Sequence, residues 1–308
     1  MIGLLLACAG SEPKDGGTPF VPSTDVVVGF GFSCALTRDG APVCWGEDAA
    51  ELQAPPSSSY KDLDAGAAYV CGIETEGAIS CWRFPDERSA YLDEIVLNAP
   101  AGEFGSLSAS WWGACALDLD GVPVCWGNEG FEARVPAHLT FSTLEMSHDG
   151  GCGLLTDGTI HCFCVPEGCP LDGEAVPTGT WSQIAVGYEH ACALDEEGLV
   201  ECWGWSAGEG EVDGVRFKAI SAGDAYTCGV TLDGFVQCWD THYEGRFNNN
   251  EDWPEYDSVW LTAPAGTFID VEVEWEIGAA VTSERDIVTF GYDLGGGSFQ
   301  EAAGAAAE

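Results

Sequence analysis

The sequence is poor in basic residues and has no long apolar run. Ten lysines and arginines stand against 51 aspartates and glutamates in 308 residues, which gives a formal net charge of −41. Such a surface repels the phosphates of nucleic acids and the anionic surface of membranes, so neither is expected as a partner. No segment reaches the roughly 20 apolar residues that a membrane-spanning helix needs. We expect the acidity to keep the protein soluble; capture of a metal or of a basic partner is the alternative.

The motifs of catalysis and metal binding are missing as well. There is no Cys-x-x-Cys, no His-Glu-x-x-His, no nucleophile elbow and no phosphate-binding glycine loop. Solvated turns and an outward strand face explain the acidic runs 195–197 and 272–276 without a metal. The five histidines share no motif: they are His138, His148, His161, His190 and His242. We therefore predict no catalytic residue, no metal and no cofactor.

Fifteen cysteines are too many for a reducing compartment unless they bind metal, so they indicate a disulfide framework. Twelve form pairs ten residues apart: Cys34 with Cys44, Cys71 with Cys81, Cys115 with Cys125, Cys152 with Cys162, Cys192 with Cys202, and Cys228 with Cys238. Three further features recur in the same register. They are a glycine six residues after each first cysteine (Gly40, Gly77, Gly121, Gly158, Gly198, Gly234), an aliphatic residue two after it (Leu36, Ile73, Leu117, Leu154, Leu194, Val230) and an aromatic residue after each second cysteine (Trp45, Trp82, Trp126, Phe163, Trp203, Trp239).

The spacing of ten predicts a β-hairpin. If Cys34 lies opposite Cys44, Leu36 faces Pro42 and a three-residue loop ends at Gly40. Loops of this length need a residue in the left-handed region, where glycine costs least. The two cysteines then point to the same face within disulfide reach. We therefore predict six within-hairpin disulfides, each closing a loop worth roughly 2–3 kcal/mol in the chain-entropy model.

A seventh unit without cysteines follows the same register. Ala279 and Thr289 take the two cysteine positions, and Phe290 takes the aromatic position. Arg285 stands where the loop glycine is expected, so we expect a different turn type there. The repeats are on average about 41 residues apart, the length of one four-stranded propeller blade. One strand is expected before each hairpin and a short fourth strand after it. The predicted fold is an all-β, seven-bladed β-propeller.

The repeat resembles that of the regulator of chromosome condensation family, particularly its bacterial Cys-Ala-Leu and Cys-Trp-Gly variety. The fifth repeat carries the resemblance best, through residues 186–194, Gly198 and Cys202-Trp203-Gly204. The resemblance covers about residues 25–291 and implies a seven-bladed toroid. It further implies a binding platform, for GTPases or as an inhibitor of other proteins, rather than an enzyme. The chain departs from the family in its Gly-Gln-Leu-Gly segment, of which only traces such as Glu51-Leu52-Gln53 remain.

The first residues resemble a bacterial lipobox. Leu5-Leu6-Ala7-Cys8 places a small residue before a cysteine, and a tether-like segment follows. There is no basic region before it, and the apolar stretch is shorter than a usual signal peptide; a start further upstream would explain both. We predict a lipoprotein-type signal remnant and tether over 1–24, the propeller over 25–294 and a low-complexity tail over 295–308. Cys8 is the predicted lipidation site.

The longest insertion separates Trp239 from Phe268. Residues 240–251 match a calcium loop at the first, sixth and twelfth positions but not at the third and fifth, so no calcium is predicted. The insertion also carries five aromatic residues, which make it the candidate binding surface, with capping of the blade rim as the alternative. They are Tyr243, Phe247, Trp253, Tyr256 and Trp260.

Cys164 and Cys169 remain for each other once the repeat pairs are assigned. An exchange with Cys162 is the alternative pairing.

The sequence thus favours a secreted or surface-anchored propeller that binds an unknown protein or surface macromolecule. We expect a monomer outside the cytoplasm, held at the bacterial outer membrane or cell surface by a lipid anchor, or released. One alternative is a secreted enzyme, for example directed at polysaccharide, with carboxylates at the propeller channel. Another is a structural component of the envelope.

Overall fold

The fold is given by a computed structural model. It describes residues 22–291 except for 47–48, 50–51, 86–89, 128–134, 137, 149, 165–170, 172–175, 189, 205–211, 213, 224–225, 241–262 and 275–276. Over these residues the chain forms seven antiparallel sheets, each with three strands in sequence order. Each sheet is one blade, so the predicted seven-bladed, all-β architecture is confirmed.

The blades follow one another along the chain. Blades 1 to 3 are β1 (Pro22–Gly29), β2 (Phe32–Thr37), β3 (Pro42–Trp45); β4 (Tyr60–Ala65), β5 (Tyr69–Glu74), β6 (Ile79–Arg83), followed by helix α1 (Ala90–Leu97); and β7 (Phe104–Ala109), β8 (Gly113–Asp118), β9 (Pro123–Gly127). Blades 4 to 7 are β10 (Phe141–Met146), β11 (Gly150–Leu155), β12 (Ile160–Cys164); β13 (Gln183–Val186), β14 (His190–Leu194), β15 (Val200–Gly204); β16 (Phe217–Ala222), β17 (Tyr226–Thr231), β18 (Val236–Asp240); and β19 (Phe268–Glu274), β20 (Ile277–Thr282), β21 (Ile287–Gly291).

The first strands of the blades form a closed inner ring. Each contacts the first strands of both neighbouring blades, and β19 contacts β1. The apolar core is correspondingly divided into seven clusters among the described residues, one at each junction between neighbouring blades. The junction between blade 7 and blade 1 is built from Val26, Val28, Trp45, Ile277 and Val281 with their neighbours. The stability of the ring therefore comes from blade-on-blade burial rather than from one central core.

The repeated cysteines and aromatic residues lie on opposite faces of the blades. Cys71 and Cys81 of blade 2 contact the cluster that contains Trp126 of blade 3. Trp82, the neighbour of Cys81, lies instead in the cluster shared with blade 1. Side chains alternate along a strand, so adjacent Cys and Trp residues must face different neighbours. Six of the seven junctions thus place the disulfide side of one blade against the aromatic residue of the next, and at the seventh Ala279 faces Trp45 in the same cluster.

The six predicted hairpin disulfides are confirmed between described residues. In each, the paired Cα atoms are 4.0 Å apart, and the cysteines are directly opposed. The bonds join Cys34 to Cys44, Cys71 to Cys81, Cys115 to Cys125, Cys152 to Cys162, Cys192 to Cys202 and Cys228 to Cys238.

The burial of the paired cysteines differs between the two strands of a hairpin. Cys115 and Cys228, on the middle strands of blades 3 and 6, are fully buried. Their partners Cys125 and Cys238, on the third strands, are only partly buried. In these two blades the third-strand half of the disulfide is nearer to the solvent, whereas Cys81 and Cys162 on the third strands of blades 2 and 4 are buried.

Cys152 pairs with Cys162, so the alternative exchange of Cys162 into the neighbouring pair does not occur. Cys164 is also disulfide-bonded, while its predicted partner Cys169 lies outside the described residues.

The prediction of a different turn in blade 7 is wrong. In blade 1 the amide of Gly40 donates to the carbonyl of Thr37, and Gly40 has a φ of 80°. In blade 7 the amide of Arg285 donates to the carbonyl of Thr282 in the same way, and Arg285 has a φ of 71°. The hairpin register, with Ala279 opposite Thr289, imposes the left-handed conformation whichever residue occupies the position.

The same loop glycines join neighbouring blades. The amide of Tyr60, the first residue of β4, donates to the carbonyl of Gly40 in blade 1 at 2.7 Å. Equivalent bonds recur around the ring at Gly77–Phe104, Gly121–Phe141, Gly158–Trp181, Gly198–Phe217 and Gly234–Phe268. These turns define one end of the propeller, which we call the glycine-turn face.

The predicted fourth strand does not occur in the described part of the chain. In blade 2 the stretch that should contain it forms α1 instead. Leu92 and Ile95 of this helix are buried at the junction with blade 3, and the carbonyl of Ile95 accepts a hydrogen bond from Trp126 Nε1 at 2.9 Å. Leu171 is placed similarly in blade 4, where its carbonyl accepts from Trp203 Nε1. The outer edge of each of these two blades therefore covers a tryptophan of the next blade and does not add a fourth hydrogen-bonded strand.

Several predicted features lie outside the described residues. They are the lipidation site Cys8, the tail over 295–308 and the five aromatic residues of the insertion, Tyr243, Phe247, Trp253, Tyr256 and Trp260. Strand β1 begins at Pro22, just before the predicted start of the propeller at residue 25.

Candidate functional site

The inner edge of each blade carries one repeated side chain beside the axis. It is the residue of the first strand that pairs with the first cysteine position, seven residues before it in sequence: Val27, Asp64, Ser108, Glu145, Ala185, Ser221 and Glu272. The shorter polar side chains bridge to the next blade. Asp64 Oδ2 accepts from the amide of Ala109 at 2.7 Å, and Ser108 Oγ accepts from the amide of Met146 at 2.9 Å.

Glu145 and Glu272 take the same position but make no such bridge in the part of the chain described. Burial, followed by the charges of Asp64 and Asp62, raises the pKa of Glu145 to about 8. Burial, followed by the charges of Asp64 and Glu145, raises the pKa of Glu272 well above its ordinary value. Burial also raises the pKa of Asp64 to about 6, against the effect of its backbone hydrogen bonds.

These three carboxyl groups belong to blades 2, 4 and 7, none of which are neighbours. They can influence one another only across the channel that the inner strands enclose. The prediction that the run 272–276 lies on an outward strand face is therefore wrong for Glu272, because β19 is an innermost strand. The described residues nevertheless contain no group of three or more His, Cys, Asp or Glu side chains placed to hold a metal ion.

One end of the channel is ringed by the tight turns between first and second strands. In blade 3 the amide of Ser110 donates to the carbonyl of Gly113, so Trp111 and Trp112 form the tip of the turn. Blades 4 and 5 repeat this geometry and present His148 and Tyr188. We call this end the channel mouth; it lies at the opposite end of the strands from the glycine-turn face.

The rings at the channel mouth form one aromatic cluster. His148 contacts Trp111, Trp112 and Tyr188, with centroid separations of 5.2, 5.4 and 4.8 Å. The His148 and Tyr188 planes meet edge to face at 87°, an arrangement that aromatic quadrupoles favour. All four rings are partly exposed, so they offer apolar surface to a partner.

A cavity of about 40 Å³ opens beside this cluster. It lies where the turns of blades 2 to 5 meet the strand ends of blades 6 and 7, so six blades contribute to it. Its chemically distinctive lining residues are Trp111, Ser147, His148, Tyr188 and Glu274. Glu274 is the last residue of β19 and lies two residues beyond Glu272. The cavity lining therefore combines aromatic residues with one acidic residue, Glu274.

Basic side chains are concentrated away from the channel mouth. Among the residues described, Arg38, Lys61, Arg216, Lys218 and Arg285 lie in or next to the loops of the glycine-turn face. Arg83 lies on an outer strand and pairs with Asp93 of α1. No lysine or arginine lines the described cavity. The loops of the glycine-turn face also carry many acidic residues, such as Asp118, Asp120, Asp195, Glu196 and Glu197, so the two ends differ in their basic residues and not in the sign of their charge.

His190 is fully buried, and its Nε2 atom lies 2.8 Å from Thr227 Oγ1 of the next blade. Burial lowers the pKa of His190 to about 4, so it is neutral near pH 7. His190 therefore has a structural role at the junction of blades 5 and 6.

Sequence reasoning missed the channel carboxyl groups and the aromatic mouth. A usable signal exists in the repeat register. The seventh residue before each first cysteine position reaches the channel, and the fourth reaches the mouth, where it gives Trp111, His148 and Tyr188. The residue type at both positions differs between repeats, so the repeat pattern does not reveal them.

Comparison with known families agrees with this geometry. The family model of the regulator of chromosome condensation (RCC1) repeat matches residues 181–210, which contain the fifth blade. A curated relative, the serine/threonine-protein kinase-like protein CCR2 of Arabidopsis thaliana, is 28% identical over 161 residues. That match covers 44% of this chain and 20% of the relative, so the chain spans about a fifth of the length of that protein.

Solved structures show the same fold. The ectodomain of the Physcomitrella patens receptor kinase CR4 aligns with a TM-score of 0.69 at 20% identity, over 89% of this chain and 75% of that one. The CRINKLY WD40 ectodomain of Arabidopsis thaliana ACR4 gives 0.67 at 20% identity, over 91% and 98%. Prp20p of Saccharomyces cerevisiae gives 0.56 at 15% identity, over 70% and 71%.

The fold and its inner site define a disulfide-stapled seven-bladed propeller with a closed ring. One repeat of the chain matches the family model of the regulator of chromosome condensation (RCC1) repeat, and the propeller fold is similar to that of these solved structures.

Proposed function

We propose that this propeller is a non-catalytic protein-binding platform whose binding surface is the channel mouth. The observation that carries the proposal is the aromatic cluster of Trp111, Trp112, His148 and Tyr188 around a cavity to which six blades contribute. Partly exposed aromatic side chains on rigid turns are the usual anchors of protein interfaces. The structure of Prp20p is described together with its binding to Gsp1p and histones, which supports a protein partner for this chain also.

Affinity capture with matched variants tests this proposal. The immobilised protein is exposed to proteins from the native cell surface, and a captured partner is then purified and titrated. Trp111→Ala with Tyr188→Ala should weaken binding of that partner at least tenfold, because hot-spot aromatic residues contribute about 2 kcal/mol or more each. Leu119→Ala is the control, since Leu119 is 67% exposed on the glycine-turn face.

The insertion remains the rival surface on the same molecule. Trp253→Ala with Trp260→Ala removes two of its aromatic residues. If the partner does not bind this variant but binds the channel-mouth variant fully, the binding surface is the insertion and not the channel mouth. Melting temperatures of all variants separate lost contact from lost folding.

An enzyme acting through the channel carboxyl groups is the second candidate. It is favoured by the different pKa values of Asp64 and Glu145, about 6 and about 8, since acid–base pairs need such a difference. The cavity argues against a polysaccharide substrate, because a volume of about 40 Å³ is too small for a sugar ring. If the protein releases reducing sugar from a polysaccharide and Glu145→Gln abolishes that release, the enzyme is favoured. If no polysaccharide of a panel releases sugar, the non-catalytic binding platform is favoured.

We further propose that the protein works outside the cytoplasm. Its disulfides support this, since such bonds persist in oxidising compartments. The two plant receptor relatives with the same fold are ectodomains. No helix in the described ranges is long and apolar enough to cross a membrane. A diacylglyceryl group on Cys8, sought by mass spectrometry of protein from a native membrane, would establish the anchor; a mature chain that begins after Cys8 would refute it.

A further inference from the structure

We propose that the cavity at the channel mouth binds the cationic head group of an arginine or lysine side chain from a partner protein. This inference rests on the proposed function, and it adds the chemistry of the contact.

The size of the cavity limits the ligand. One water needs about 10–15 Å³ on the scale in which this cavity measures about 40 Å³. The space therefore holds a group of a few heavy atoms, such as a guanidinium or an ammonium. A nucleotide or a sugar residue does not fit, whereas the end of one long side chain does.

The lining selects for positive charge. Trp111, His148, Tyr188 and Glu274 are among the residues that line the space. The faces of Trp and Tyr rings attract cations, and the attraction grows when water is excluded. A partly buried carboxylate beside them adds a charge-assisted hydrogen bond to a guanidinium or ammonium donor.

The surroundings of the cavity have the same polarity. Glu272, Glu145 and Asp64 stand one or two residues further along the inner strands. After burial, the charge of Asp64 raises the pKa of Glu145, and the charges of Asp64 and Glu145 raise the pKa of Glu272. A cation at the mouth would relieve this repulsion. No lysine or arginine lines the described cavity, so no neighbouring basic side chain repels or competes with a cation there.

The binding experiment uses two probes of the same shape. The amide-capped arginine derivative N-acetyl-arginine methylamide carries the cation, and the corresponding citrulline derivative replaces it with a neutral urea group. Titration is followed by the indole N–H signals of the intact protein in NMR spectra at physiological ionic strength. We expect the arginine probe to shift the Trp111 signal with millimolar affinity and the citrulline probe to bind at least tenfold more weakly.

Matched charge variants locate the site. Glu274→Gln should weaken arginine binding at least fivefold. Glu284→Gln removes the same charge from the same blade, but at an exposed turn on the glycine-turn face, and should leave binding unchanged. Equal binding of the two probes overturns the inference, and so does an equal effect of the two variants, which would indicate diffuse attraction to an acidic surface.

The proposed function can fail separately. If Trp111→Ala with Tyr188→Ala abolishes partner binding while Glu274→Gln does not, the platform stands and the cation site is refuted. If the arginine probe binds at Trp111 but the partner binds the aromatic variants as tightly as the parent protein, the cation site stands and the mouth is not the protein interface.

Discussion

Arg285 holds a backbone conformation that the other six repeats assign to glycine. Its φ of 71° matches the 80–94° of the loop glycines. A residue with a Cβ in this region is strained by about 1 kcal/mol or more. The hairpin accepts this cost because a different turn would break the pairing of Ala279 with Thr289. A single residue therefore follows the register that its blade requires, against its own preference.

Replacement of Arg285 by glycine should stabilise the protein. Relief of the strained φ outweighs the added flexibility of glycine in the unfolded chain by roughly 0.5 kcal/mol. Gly121→Ala is the reciprocal variant and should destabilise, because its Cβ would come within 2.5 Å of the carbonyl oxygen of Phe141. Urea denaturation of both variants measures the two differences. A less stable Arg285→Gly protein would show that the arginine side chain contributes more than its backbone costs.

Glu145 makes stability depend on pH. Its pKa is about 8 in the folded protein and roughly 4.3 in an unfolded chain, so folding favours the protonated form. This contribution is complete below about pH 4 and is lost as the pH rises through 8. The charges of Asp64 and Asp62 raise the pKa of Glu145 in the same direction as burial does.

Glu145→Gln should therefore melt several degrees above the parent protein at pH 8.5 and at nearly the same temperature at pH 5. Glutamine imitates the protonated glutamate in shape and removes the charge. His190 titrates equally in both proteins, and its effect cancels in the comparison. A constant difference between the two melting temperatures across this range would contradict a protonated Glu145 in the folded state.

The hairpin is the element that the sequence predicts best. Only one pairing register of the second and third strands agrees with its three features, and the structure has that register. The features are the cysteines ten residues apart, the glycine in the loop and the aliphatic residue opposite the third strand. The outer edge could not be predicted in this way. Its residues differ in every blade, and in blade 2 a helix buries Leu92 and Ile95 where a strand was expected. Local spacing determines the hairpin, whereas the edge depends on which tryptophan the next blade presents.

The channel and its mouth were harder to predict for a different reason. Asp64, Glu145 and Glu272 lie in three separate repeats, far apart in sequence, and only closure of the ring brings them together. Charge alone suggested solvated surface for such residues. The fold must be known before an acidic residue on a first strand can be assigned to the axis.

The blade without a disulfide can be given one. Ala279 and Thr289 are directly opposed and buried, at the positions that cysteines occupy in the other blades. Ala279→Cys with Thr289→Cys should form a seventh disulfide and raise the free energy of unfolding by roughly 2–3 kcal/mol, less the cost of losing the contacts of Thr289. Thermal unfolding with and without reductant measures the gain, with Ala279→Cys alone as the control. An oxidised double variant no more stable than that control would indicate that blade 7 tolerates no further constraint.

At the scale of the whole molecule, the ring closes between the two ends of the chain. The junction of β1 and β19 joins residues about 250 positions apart, and the described residues there meet mainly through the apolar cluster of Val26, Trp45 and Ile277. Blade 7, on one side of this junction, has no hairpin disulfide between its described strands, because Ala279 and Thr289 occupy the two cysteine positions. Native-state hydrogen exchange should find the amides of β1 and β19 opening at lower free energy than those of β10 and β13. Equal protection of all four strands would contradict a weaker seventh junction.

This junction also determines when the ring can close during folding. The six hairpin disulfides between described residues each lie within a single blade, so none of them holds the first blade to the last. Closing a loop of about 250 residues carries the largest chain-entropy cost of any contact in the molecule. Blades formed in order during synthesis would remain an open arc until the seventh is complete, with one uncovered apolar face at each end. Those two faces are complementary. If two open arcs meet, the last blade of one would therefore pack against the first blade of the other, head to tail. A newly made chain must close its own ring before it meets another copy of itself.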